Sequence, residues 1–193
     1  MASRRTGASK LAERVRAFEI IKKLSFARGK FVLASGKESE TYLDMKPSMF
    51  DPEGANLLAQ LVLDRLQDMK VDYVGGLEMG AVPLVSTVAM LSFQRPRSIS
   101  GLFVRKMVKD HGTKKRIEAA ADLKNKNVVI LDDVTTTGAS AMEAVRAVKA
   151  AGAKVLLVLS IVDRNEGAAE FYQGEGIPFD WLFRLEEFVA VTA

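Results

Sequence analysis

Asp132 and Asp133 stand side by side where an apolar run, Val128 to Leu131, ends, and Val134, Thr135, Thr136, Thr137, Gly138, Ala139 and Ser140 follow at once. The run has the composition of a buried strand, which puts the two acids at its carboxyl end, where open parallel sheets bind their ligands. Neighbouring strand residues point to opposite faces, so the two carboxylates cannot meet one small target in the same way. One can address sugar hydroxyls while the other reaches a hydrated metal ion. A helix expected to begin near Ala139 would add unpaired backbone N–H groups and the positive end of its dipole to the threonine hydroxyls. Gly138 lets the backbone come close without a Cβ. Acids for hydroxyls and metal, beside a neutral donor nest for phosphate, describe a site for a phosphorylated sugar. Two other readings use the same residues. One is a plain strand end with a helix cap. The other is the metal-binding strand of an ATPase, which requires an upstream G-x-x-x-x-G-K-[ST] loop; "GGLEMGAV" lacks both the lysine and the hydroxyl.

A second concentration of chemistry is "FVRKMVKDHGTKKR", with Arg105, Lys106, Lys109, Lys114, Lys115 and Arg116 around His111, the only histidine of the chain. A solvated charged loop and a nucleic-acid patch both fit that composition, although the interleaved aromatics of single-strand binders are missing. The polar stretch continues to about Lys126 without clear periodicity, and a loop of that length inside a compact domain is usually functional or disordered.

The elements that must position these groups follow from periodicity. Leu11, Val15, Phe18 and Ile21 recur at helical spacing, and "KFVLASGKESETYLDMK" reads as a hairpin. A second helix is expected from Pro52 to Met69, capped by Asp51. Beyond it, "VDYVGG", "SISGLFV", "NVVIL", "KVLLVLSIV" and "FDWLF" read as strands alternating with helices in "AVPLVSTVAMLS", "SAMEAVRAVKAAG" and "EGAAEFYQGEG". This alternation predicts an α/β fold with a parallel sheet covered on both faces. The 193 residues suit one domain; 28 Lys+Arg against 24 Asp+Glu give a mild +4, compatible with an anionic ligand, and the absence of cysteine excludes disulfides and thiolate metal sites. Neither a secretory signal nor an apolar run of about 20 residues is evident, and Glu13 and Glu19 argue against a transit peptide. The default expectation is a cytoplasmic protein.

"VVILDDVTTTGAS" resembles the signature of the type I phosphoribosyltransferases, which bind 5-phosphoribosyl-1-diphosphate (PRPP). The resemblance implies that Asp132 to Ser140 contact PRPP and that Asp132 and Asp133 hold Mg2+ through water. The basic segment then acquires a task. Displacing diphosphate from the anomeric carbon builds positive charge on the ribose and negative charge on the leaving group, which nearby cations stabilise. "FVRKMVKDHG" resembles the catalytic loop of the orotate phosphoribosyltransferases. That likeness implies diphosphate contacts from Arg105, Lys106, Lys109 and His111, with Lys109, His111, Asp132 and Asp133 catalytic. It also implies a mobile loop, residues 105–117, that is shared across a homodimer.

"FVLASGKESETYLD" resembles the family's N-terminal hood, with Tyr42 and Leu43 against the pyrimidine, and "VDRNEGA" resembles the segment whose arginine, Arg164, contacts orotate. Thr136 occupies the position that touches both ligands. A guanidinium fork suits the anionic ring, although Arg164 could instead pair with Asp163 or Glu166. Two lysines that many members carry, before the hood's Ser-Gly and in the "GGLEMGAVP" turn, are missing at Ala34 and near Met79. Backbone amides of Glu78 to Gly80 can still make a diphosphate turn, with Lys46 a candidate substitute cation.

The implied architecture is a single domain, residues 1–193: a Rossmann-like parallel sheet flanked by helices, with helix and hood over about 1–50 and the core over about 51–183. The implied activity is transfer of ribose 5-phosphate from PRPP to orotate, giving orotidine 5′-monophosphate and diphosphate in de novo pyrimidine (UMP) synthesis, without nucleic-acid or membrane partners. A PRPP-sensing regulator of the same fold, or a transferase for another base, are the alternatives.

Overall fold

The computed structural model describes residues 6–32, 38–107 and 115–190. Helix α1 (Gly7–Leu24) starts at Thr6, whose side chain accepts the Ser9 amide, and buries Ala17, Ile20 and Ile21. Strands β1 (Phe26–Val32) and β2 (Glu38–Leu43) pair antiparallel as a separate two-stranded sheet, the expected hairpin. A short helix, α2 (Lys46–Phe50), leads into α3 (Pro52–Arg65). Asp51 caps α3 by accepting the Gly54 amide at 2.8 Å, with Pro52 in the first turn, where its missing N–H costs nothing. The helix stops at Arg65, short of the expected Met69, because residues 66–69 close into turns.

The core alternates as expected: β3 (Tyr73–Gly75), α4 (Val82–Ser92), β4 (Ser100–Val104), β5 (Ile117–Ala119), β6 (Asn127–Thr135), α5 (Ala139–Ala150), β7 (Lys154–Asp163), α6 (Ala168–Gly174), β8 (Phe179–Arg184) and α7 (Leu185–Ala190). The main sheet has the order β5-β4-β3-β6-β7-β8 and is parallel throughout except for β5, which pairs antiparallel with β4 at the edge. Strand β5 lies in the segment expected to be loop. Its short Ile-Glu-Ala run carries no periodic signal, and pairing with β4 makes it a strand.

Central strand β6 shows how the sheet divides the core. Val129 and Leu131 belong to one buried cluster with α1, α3 and α4, while Val128 and Ile130 belong to a second with α5 and Tyr172 of α6. This period-2 alternation on a strand covered on both faces explains why its residues are apolar without exception from Val128 to Leu131. After β3 the chain crosses to one side, and after β6 to the other, so β3 and β6 flank the topological switch point. The turns after β3 and β6 therefore face one crevice. Among the described residues, no helix is long and apolar enough to cross a membrane.

Candidate active site

Strand β6 does not end at Leu131 but continues to Thr135, because the long β7 keeps pairing with it as far as Thr135 and Asp163. The acidic pair is therefore held inside regular structure, one turn before the loop. Asp132 and Asp133 do address different surroundings. Thr135 donates its hydroxyl to Asp132 Oδ2 at 2.7 Å, and the charge of Asp132 is felt by buried Tyr172. Asp133 faces the other layer: a Cβ built on Gly80 would stand 2.7 Å from its Oδ1, and Lys46 and Asp44 act on it electrostatically. Burial, and then the charge of Asp133, pushes Asp132 up to about 7; burial raises Asp133 too, with Lys46 opposing the shift.

The sugar-phosphate cradle lies at the start of α5. Gly138 has a left-handed φ of 86°, and its carbonyl accepts the Tyr172 hydroxyl at 2.8 Å. A Cβ at Gly138 would come within 2.8 Å of the Tyr172 ring, so this turn needs glycine for both its conformation and its back wall. Thr136 is half-buried, Val134 packs beside the core, and Thr137, Ala139 and Ser140 are exposed around the helix N-terminus. Thr135 differs from this expectation. Its side chain is buried and its hydroxyl is already given to Asp132, so it supports the acid instead of opening onto a phosphate.

Arg164 follows β7 and donates its amide to the carbonyl of Thr135, the last residue of β6, at 2.9 Å, just before the turn. Asp163 accepts the Asn165 amide, and Asn165 and Gly167 take left-handed conformations in the turn that leads into α6. The Arg164 side chain pairs with Glu166, Nε to Oε1 at 2.8 Å, and is only 8% exposed. The surface pairing considered for this arginine is thus present, but on a largely covered side chain placed beside the cradle. In the hood, Tyr42 packs against Phe31 at 5.4 Å between centroids and stays 45% exposed, while Leu43 is half-buried. Lys46, the first residue of α2, donates from both its amide and Nζ to Asp44 Oδ1, at 3.1 and 2.9 Å. That bond, then the charges of Asp44 and Asp133, holds its ammonium above the usual lysine value despite burial acting the other way.

Across the crevice, Arg105 is clasped by two carboxylates, with Glu78 at 3.6 Å and Glu118 at 3.2 Å, and lies over the Phe103 ring. Lys106 is exposed, and its amide donates to Glu78 Oε1. Met79 is exposed, and the Glu78–Met79 peptide is cis. Lys109, His111 and Ala34 lie outside the described residues.

The structure thus brings Asp132, Asp133, the 136–140 turn, Arg164, Tyr42 and Lys46 to one end of the sheet. Sequence reading missed Tyr172 and Glu118, and it gave Glu78 and Gly80 only backbone roles, not the Glu78 carboxylate bonds or the Gly80 contact with Asp133. Each of these depends on a partner far away in the chain. The only local signal was that a tyrosine hydroxyl, if buried, needs a hydrogen-bond partner.

A family model described as "Phosphoribosyl transferase domain" matches residues 48–178, and the chain belongs to that family. An orotate phosphoribosyltransferase of Rhodopseudomonas palustris (strain TIE-1) is 52% identical over 186 residues, covering 95% of this chain and 100% of the relative. Among solved structures, the orotate phosphoribosyltransferase of Mycobacterium tuberculosis H37Rv is 31% identical with a TM-score of 0.80, over 91% of this chain and 98% of that one. The same enzyme in complex with PRPP gives a TM-score of 0.77 at 30% identity, with the same coverage. Within the family, the branch is that of the orotate phosphoribosyltransferases, and the protein is an enzyme of pentosyl transfer.

Proposed function

We propose that the protein transfers ribose 5-phosphate from PRPP to orotate, forming orotidine 5′-monophosphate and diphosphate in pyrimidine synthesis in the cytoplasm. The observation that carries this reading is the acid pair on β6, one carboxylate to each layer, running directly into a glycine-hinged helix N-terminus, with Arg164 bonded through its amide to the end of the same strand. A phosphorylated sugar and a planar anionic base fit these two neighbouring sets of donors. Thr136 to Ser140 cradle the 5′-phosphate with backbone amides, hydroxyls and the dipole of α5. Arg164 and Thr136 address orotate, with Tyr42 and Leu43 of the hood over its ring.

A ring nitrogen of orotate attacks the anomeric carbon as the bond to diphosphate breaks, and the positive charge developing on the ribose calls for no covalent enzyme intermediate. The protein positions the two substrates and stabilises the leaving diphosphate through Arg105, Lys106, Lys109 and His111. Lys109 or His111 donates a proton or hydrogen bond to the departing group. Asp132 and Asp133 suit Mg2+, which is commonly bound by one or two carboxylates together with waters and substrate phosphates. Both carboxylates are held above their ordinary range by burial, a cost that a nearby cation relieves. When bound there, the ion would neutralise diphosphate charge. The basic loop is read as serving the partner subunit of a homodimer. Incubation with PRPP and a panel of bases, monitored for diphosphate release, tests the reading: release is expected with orotate, and its absence would reject orotate as the acceptor.

A further inference from the structure

The turn after β3 reaches across to the start of the basic segment through one side chain, Glu78. Its backbone is fixed first. Val104 donates its amide to the Gly76 carbonyl at 2.8 Å, and Glu78 donates its amide to the Val104 carbonyl at 2.9 Å, so the turn prolongs β3 alongside β4. From that position the two carboxylate oxygens divide their work. Oε1 accepts the Lys106 amide at 3.1 Å, and Oε2 stands 3.6 Å from Arg105 Nη1. Arg105 meets Glu118 on its far side at 3.2 Å, and its own amide donates to the Arg116 carbonyl at 2.8 Å. Two residues beyond Glu78, Gly80 lies directly against the Asp133 carboxylate. A single short turn therefore touches Asp133, the Arg105 guanidinium and the Lys106 amide.

We propose that Glu78 is a positioning residue for transfer, setting where Arg105 and Lys106 stand relative to Asp133 and competing with the substrate's diphosphate for the Arg105 guanidinium. This rests on the proposed reading of the site. The hydrogen bond to the Lys106 amide is the anchor, because its geometry is normal and its donor is main chain. The longer ion pair to Arg105 is the exchangeable part: the guanidinium sits between two carboxylates, and an incoming polyanion replaces one of them. Glu78 touches no reacting atom in this scheme. It acts through its neighbours.

The test separates the two oxygens' roles by steady-state kinetics on three full-length proteins. Wild-type turnover with orotate and PRPP is measured first, and its absence would count against the activity and not against Glu78. Glu78→Gln keeps an acceptor for the Lys106 amide and removes the charge. It should lower KM for PRPP by about threefold with kcat changed less than about twofold, the scale of a partly exposed ion pair. Glu78→Ala removes the anchor as well and should lower kcat by about tenfold, the scale of one hydrogen bond to a charged group, with the orotate KM unchanged. A Glu78→Ala enzyme with wild-type kcat, or glutamine and alanine variants that behave alike, would overturn the proposal. If the alanine variant is unfolded by circular dichroism, the isosteric glutamine variant decides alone, since an unchanged or raised PRPP KM contradicts the competition.

Discussion

The two turns that meet at the switch point do their work by different means. The turn after β6 carries its chemistry in its own sequence: two acids, then hydroxyls, then a left-handed glycine at a helix start. The turn after β3 carries almost none. Gly76, Leu77, Met79, Gly80 and Ala81 offer backbone only, and the one charged residue, Glu78, is an acid where an anion is to be bound. Cations reach that side from elsewhere, with Lys46 coming from the start of α2 and Arg105 from the end of β4. A ligand site can thus be written locally on one flank and assembled from distant pieces on the other.

Changes to the acid pair and to the leaving-group lysine should cost the most. Asp133→Asn is expected to lower kcat/KM on the order of 10² to 10³-fold, as loss of a preorganised charge does, without unfolding the protein. Steady-state kinetics check it, and a loss under tenfold would break the comparison. Lys109→Ala is expected to lower kcat by about 10²-fold while PRPP affinity changes much less. Equal losses in both would assign this lysine to ground-state binding.

The two glycines sharpen the comparison. Gly138→Ala forces a left-handed alanine and a clash with the Tyr172 ring, so a loss of about 2 kcal/mol in stability is expected by denaturant titration. Gly80→Ala needs no left-handed backbone but must push the Asp133 carboxylate aside. It should leave stability nearly intact while lowering kcat about tenfold. The reverse pattern would mean that the β3 turn is merely structural.

A further effect is on pH dependence. The folded-state pKa of Asp132 is raised from 3.8 to about 7, so the folded protein holds a proton that the unfolded chain has released. Asp132 therefore favours folding below about pH 4, and that contribution is lost as pH rises to about 7. Thermal melts of the substrate-free protein should show the decline, and Asp132→Asn should flatten it.

What sequence reading could and could not find follows the same division. The apolar runs of β6 and β7, the Asp51–Pro52 start of α3 and the hinge at Gly138 are local patterns with local causes, and each stands where it was expected. The extension of β6 to Thr135 was not legible, because it is imposed by the length of β7. Strand β5 and the short helices α2 and α7 were missed for a similar reason, since tertiary packing outweighs weak propensity in pieces this short. The carboxylates around Arg105 and Arg164 belong to the same class. A charged side chain advertises its sign, while its partner is chosen by the fold.

Tyr172 limits how far the stretch from Val128 to Ser140 can be regarded as a portable cassette. The phenol that holds the Gly138 carbonyl, and the ring that occupies the space over its Cα, both come from α6, beyond the next strand. Grafted onto another parallel sheet, the thirteen-residue string would arrive without its back wall. A designer would have to carry the helix bearing the tyrosine along with it, and with that helix the turn that presents Arg164.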